Sequence, residues 1–120
     1  MSPWAALGGS GLALIYAQLR YSFFSPTPGG VRVLMYHDLH EQKADFLTTK
    51  IADFEAQMKW LIAQGYQSIS LDQFVAHIEG KINRADLPEH PVLITFDDGY
   101  RSNLSLAFPI LKACGLRATL

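Results

Sequence analysis

The sequence predicts an α/β fold built on parallel strands. Three observations carry that reading. Short runs that read as strands at residues 31–36, 67–70, 92–96 and 116–120 alternate with stretches whose apolar residues recur at helical spacing. Hydrophobic residues make up 49% of the 120 positions and charged residues 18%, which excludes a disordered chain and allows one packed domain. The run Val92-Leu93-Ile94-Thr95-Phe96 delivers Asp97 and Asp98 at its carboxyl end, followed by Gly99. Parallel α/β folds place their sites at such strand ends.

The chain opens on a different material. Residues 3–19 hold no charge, and Arg20 is the first charged residue. That stretch is at the short limit for a membrane span and long for a signal-peptide core, and only Met1 and Ser2 precede it. Glycines at 8, 9 and 11 weigh against a stable soluble helix. The expectation is a leader, acting as an export signal or a membrane anchor, and therefore an extracytoplasmic protein with membrane contact through residues 3–19. Ser25-Pro26-Thr27-Pro28-Gly29-Gly30 stops regular structure. The expected boundaries are therefore a leader with linker over 1–30 and a folded part over 31–120.

Within the folded part, residues 31–36 read as a strand ending at His37-Asp38. Thr48 or Thr49 is placed to cap a helix running to Gln64, with Ile51, Phe54, Met58, Leu61 and Ile62 on one stripe and Gly65 after it. Trp60 falls beside that stripe and is expected to be packed. Residues 67–70 form a short strand and 72–80 a short helix, with Phe74, Val75 and Ile78 facing inward. Residues 87–91 approach the strand 92–96. Ser102 or Asn103 is placed to cap a helix reaching Cys114, with Pro109 kinking it or shifting its start and Gly115 ending it. Residues 116–120 begin another strand. This order implies right-handed crossovers between parallel strands, in an open doubly wound sheet or the first half of a barrel.

Composition excludes some functions. Ten basic and eleven acidic residues give a net charge of −1 with no basic stripe, so nucleic acid is not an expected partner. The single cysteine, Cys114, cannot close an internal disulfide and reads as a small core residue.

The doublet has a physical logic. Adjacent strand residues face opposite ways, so Asp97 and Asp98 act on one site only if the chain turns, which Gly99 permits by accepting positive φ. One carboxylate can then hold a divalent metal while the other takes a proton from water, the cation offsetting their repulsion. A plain strand-to-helix turn is the competing explanation, because Asp also caps turns. Zinc wants three protein ligands and an open position. The four histidines are His37, His40, His77 and His90, and His37 and His40 leave a strand, so their spacing does not aim both at one point. The sequence thus holds half a metal site.

These residues resemble the polysaccharide deacetylases of carbohydrate esterase family 4. Thr95-Phe96-Asp97-Asp98-Gly99 matches that family's first motif, and the likeness runs over about 31–120. It is closest to the branch with the bacterial poly-N-acetylglucosamine deacetylases. Supporting stretches are Leu34-Met35-Tyr36-His37, Phe54-Glu55-Ala56-Gln57-Met58, Gly65-Tyr66, Ile69-Ser70-Leu71-Asp72, Phe108-Pro109-Ile110-Leu111 and Ala118-Thr119-Leu120. The resemblance implies the N-terminal portion of a distorted (β/α) barrel that removes N-acetyl groups from an amino-sugar polysaccharide. By motif position, Asp97 would be the general base and Asp98 a ligand of a divalent metal, zinc. His37 and Tyr100 would line the site. The substrate would be a polysaccharide containing N-acetylglucosamine.

The departure is equally plain. The family's second motif, two histidines four residues apart, has no counterpart here, nor has its later acid histidine. The expectation is an incomplete metal site and an inactive 120-residue chain. Two readings from other classes compete. One is a non-catalytic carbohydrate-binding or membrane-anchored module, for which Tyr36, Trp60, Phe96 and Tyr100 are the available aromatics. The other is a phosphatase with Asp97 as nucleophile, disfavoured because such enzymes set one residue between their aspartates.

Overall fold

The computed structural model describes residues 30–120, of which Val31–Leu120 form one compact unit. The expected leader and nearly all of its linker lie outside the described residues. Among the described residues no helix is long and apolar enough to cross a membrane.

Three parallel strands form the central sheet. Strand β1 is Arg32–Tyr36. After the short strands β2, Asp38–His40, and β3, Thr48–Lys50, comes helix α1, Ile51–Ala63. Strand β4, Gln67–Ser68, leads into helix α2, Leu71–Ile78, then a single 3-10 turn at Arg84–Asp86. Strand β5 is Pro91–Phe96, followed by a π-turn at Asn103–Ala107 and helix α3, Phe108–Ala113. The strand order is β1-β5-β4, so β5 is central. That is why Val92, Leu93, Ile94 and Phe96 are all buried. A strand covered on both faces needs an unbroken apolar run, as its sequence supplies.

The alternating order was the right guide to parallel pairing: Arg32 lies beside Val92 and Tyr36 beside Phe96. Residues 116–120 contribute less than a strand. Thr119 alone bridges to Thr95, donating its N–H to the Ile94 carbonyl at 2.8 Å and accepting from Phe96 at 2.9 Å. The described residues make an open sheet and not a closed barrel.

The main core lies between one sheet face and helices α1 and α3. Phe54, Met58 and Leu61 of α1 meet Val92, Ile94, Phe96, Leu111 and Leu116. Cys114 packs, half-buried, against the same cluster, as a small core residue should. On the other face Leu93 joins Ile69 and Leu87 beneath Phe74.

Four local expectations need correction. Thr48 and Thr49 do not cap α1: they form β3, which pairs in parallel with β2, and α1 starts without a side-chain cap. β-branched threonines favour extended backbone. The turn before β3 is organised by Asp45, which accepts the N–H groups of Leu47 and Thr48 at 3.0 and 2.9 Å. The Lys43 ammonium, 3.0 Å away, and these N–H groups hold the Asp45 carboxyl down to about 2.

Trp60 is not packed but 55% exposed, and Ile62 is also largely exposed. Trp60 stacks on Tyr66, whose ring lies under the Arg32 guanidinium. In α2, Phe74 packs as expected, but Val75 and Ile78 are exposed. With Leu71 they line a stripe at i, i+4 and i+7 that nothing among the described residues covers. Helix α2 is instead secured at its start. Ser70 accepts from the Gln73 N–H at 3.1 Å and Gln73 reaches back to the Ser70 N–H at 2.9 Å, a reciprocal cap.

Ser102 and Asn103 are not caps either. Ser102 already has helical backbone and makes no capping bond. Pro109 does disturb this helix, by widening the turn before it. The proline nitrogen has no hydrogen to give, and its ring crowds the preceding turn. The Phe108 N–H consequently reaches five residues back to the Asn103 carbonyl.

Candidate active site

Strands β1 and β5 are parallel neighbours in register, so the residues that follow them emerge side by side. His37 leaves β1 next to Tyr36, and Asp97 leaves β5 next to Phe96. The Asp97 N–H donates to the Tyr36 carbonyl at 2.8 Å, which carries the ladder one step past the strand. Below this rim three aromatic rings fix both strand ends. Tyr36 meets Phe54 edge-on at 5.0 Å and stacks near Phe96 at 5.5 Å, with Phe54 and Phe96 5.8 Å apart. The Tyr36 hydroxyl donates to Gln57 Oε1 at 2.6 Å, and burial pushes its pKa up.

The two carboxylates are separated by backbone geometry. Asp98 has φ 69° and Gly99 φ 61°, so the left-handed turn begins at the aspartate itself. Asp98 is the only non-glycine residue with positive φ among the described residues. Aspartate tolerates this region better than most side chains, yet the conformation carries strain, and strain of this kind concentrates at functional positions. The turn sends Asp97 and Asp98 into solvent, both exposed.

His37 comes to Asp97. Its Nε2 lies 4.0 Å from Asp97 Oδ2, with the imidazole 19% exposed and the carboxylate 48%. At that distance the two groups make no direct hydrogen bond. Tyr100 sits at the far end of the turn, 36% exposed. His40 is turned elsewhere, its Nδ1 accepting the N–H groups of Gln42 and Lys43 at 3.1 and 3.0 Å. The geometry therefore joins His37, Asp97 and Asp98 at one rim and removes His40 from it.

Sequence reasoning missed the residues that tie the rim together. Ser102 Oγ donates to Asp38 Oδ1 at 2.6 Å and accepts the Leu39 N–H at 2.9 Å. Asn103 Nδ2 donates to the His37 carbonyl at 2.8 Å. Asp38 beside His37 and the Ser-Asn pair beyond the doublet were visible, but only the β1–β5 pairing brings them into contact.

Because Asp98 holds a left-handed backbone, the strain and the charge can be separated. Asp98→Ala is expected to be less stable than Asp98→Gly by about 1–2 kcal/mol, with Asp98→Asn close to glycine. All three lose the carboxylate. Urea unfolding of the three variants measures the order, and an alanine variant as stable as the glycine one would contradict a strained turn.

No protein-family model matches the chain. It is 35% identical over 115 residues to the poly-beta-1,6-N-acetyl-D-glucosamine N-deacetylase of Escherichia coli (strain K12), a match covering 91% of this chain and 16% of that protein. It is 37% identical over 93 residues to YxkH of Bacillus subtilis (strain 168), which bears a polysaccharide deacetylase name; there 78% of this chain covers 32% of the relative. Among solved structures, a de-N-acetylase from Aggregatibacter actinomycetemcomitans superposes with a TM-score of 0.61 at 33% identity, over 73% of this chain and 35% of that one. The chain thus spans well under half the length of these proteins.

Proposed function

We propose that the chain belongs with the polysaccharide deacetylases it resembles over part of their length, and that it forms part of an enzyme that hydrolyses N-acetyl groups on an amino-sugar polysaccharide containing N-acetylglucosamine. The observation that supports this reading best is the turn at Asp97-Asp98-Gly99, which sets two carboxylates at the carboxyl end of the central strand, with His37 beside the first. The completed fold would be a distorted (β/α) barrel, of which the three-stranded sheet is one segment. The substrate and the extracytoplasmic location that such a polymer implies are part of the same proposal.

In this reading Asp97 is the general base. Its carboxylate takes a proton from the water that attacks the acetamide carbonyl, with His37 Nε2 4.0 Å from its Oδ2 at the same rim. Tyr100 lines the rim. Asp98 is the candidate ligand for a divalent metal, with zinc the expected ion. The residues present do not complete a metal site: among the described residues no three histidine, cysteine or acidic side chains gather to hold an ion. Zinc ordinarily takes three protein ligands, and in this reading the longer enzyme would supply the others.

Two measurements test this reading. Calorimetric titration of the 120-residue chain with zinc is expected to show only weak binding, and the chain alone is expected to release no acetate from a poly-N-acetylglucosamine substrate. A longer product containing the same residues together with a histidine pair is expected to release acetate. Robust zinc-dependent release from the 120-residue chain overturns the incompleteness of the site. Absence of release from the longer product, with zinc bound, overturns the deacetylase reading.

A further inference from the structure

We propose that Ser102 and Asn103 are positioning residues, which act with Asp38 as a latch holding the Asp97-Asp98 turn in its strained shape. The latch rests, for its meaning in catalysis, on the reading of Asp97 as base and Asp98 as ligand. The turn is bound at both ends to the same neighbouring segment, the connection from β1 into β2. On entry, the Asp97 N–H holds the Tyr36 carbonyl at 2.8 Å. On exit, Asn103 Nδ2 holds the His37 carbonyl at 2.8 Å, and Ser102 Oγ bridges Asp38 Oδ1 at 2.6 Å and the Leu39 N–H at 2.9 Å. Four consecutive residues, Tyr36 to Leu39, are thus gripped by groups on either side of the doublet.

The chemistry of the grip is specific. The Ser102 hydroxyl gives its one hydrogen to a carboxylate and takes one from a backbone amide, so donor and acceptor capacity are both engaged. The bond to Asp38 is short, as charge-assisted O–H···O bonds are. Asn103 is 5% exposed, and its Oδ1 is buried with no protein partner. A buried amide with one unsatisfied end is a poor choice for stability alone, which points to the Nδ2 bond as what the position supplies. The π-turn belongs to the same device. It starts at Asn103, whose carbonyl takes the Phe108 N–H ahead of Pro109. The wider turn sets the azimuth at which Ser102 and Asn103 leave the helix.

A non-glycine residue at φ 69° persists only where its surroundings over-determine it. The latch supplies that constraint. Its effect on the reaction is indirect: it fixes the backbone from which Asp97 and His37 project, and so the 4.0 Å between them.

The test uses the isotope-labelled 120-residue chain, with neither metal nor polymer, so its result is independent of the deacetylase reading. Amide exchange and amide chemical shifts are followed by NMR in Ser102→Ala, Ser102→Thr and Asn103→Ala. Ser102→Ala is expected to speed exchange at Leu39 and Asp97 roughly tenfold, what one hydrogen bond to a charged partner is worth at its low end. Resonances of Asp97, Asp98 and Gly99 are expected to move, while Leu93 and Ile94 in β5 keep their protection. Ser102→Thr, which retains a hydroxyl, is expected to restore the parent pattern. Unmoved resonances at 97–99 in the alanine variants overturn the proposal, as does an equal loss of protection along all of β5, which marks a merely structural role. Should Asn103→Ala fail to fold, the pair at Ser102 decides alone.

Discussion

Asp97→Asn in the longer enzyme proposed above is expected to lower kcat on a poly-N-acetylglucosamine substrate by about 10²–10⁴-fold, the range for losing a positioned general acid or base. The amide has nearly the shape of the carboxylate but cannot accept a proton from water at neutral pH. KM should change little, because the substitution alters proton transfer and not the surface that holds the polymer. The fold should survive it. The side chain of Asp97 is 48% exposed and its structural bond, to the Tyr36 carbonyl, comes from the backbone N–H. Acetate release under saturating substrate measures kcat, and circular dichroism checks the fold. A variant that keeps more than about a tenth of the parent kcat, well above that range, removes Asp97 from the role of base.

The doublet was legible because its signal is local. An apolar run ending in two acids and a glycine states both the strand and the turn, and the turn is where the sequence places it. What the sequence did not give away is that Asp98 shares the left-handed backbone with Gly99. Glycine explains one such residue; the second is imposed by contacts from Ser102 and Asn103, which lie on another element. Those two read as helix caps because serine and asparagine before an apolar stripe usually are. Here the pairing of β1 with β5 offers their side chains partners at Asp38, Leu39 and His37. Threonines 48 and 49 misled for a similar reason: the strand they complete depends on β2, ten residues upstream in register. Periodicity also overstates burial where a stripe has no neighbour. Val75 and Ile78 repeat at helical spacing and remain exposed, as do Val33 and Met35 on β1. Periodicity shows which residues share a face; only the tertiary arrangement shows whether anything covers it.

Phe54→Ala is expected to be the most destabilising single truncation in the core, costing about 3–5 kcal/mol by urea unfolding. Phe54 has no exposed surface and touches both Tyr36 and Phe96, the last residues of the two strands that present His37 and Asp97. Removing the ring leaves a cavity that the neighbours cannot simply fill. Tyr36 is held by its hydroxyl on Gln57, and Phe96 by the backbone bond its N–H makes to Thr119. The loss therefore reaches the site from below, by freeing the ends of β1 and β5 to move apart. Phe54→Leu keeps most of the volume and should cost far less, while Met58→Ala, equally buried in the same helix but outside the aromatic trio, should destabilise without loosening the strand ends. Amide exchange at Asp97 separates the two effects at matched stability. If Phe54→Ala and Met58→Ala raise that exchange equally, the aromatic trio is ordinary core; a selective rise in Phe54→Ala makes it the foundation of the carboxylate turn.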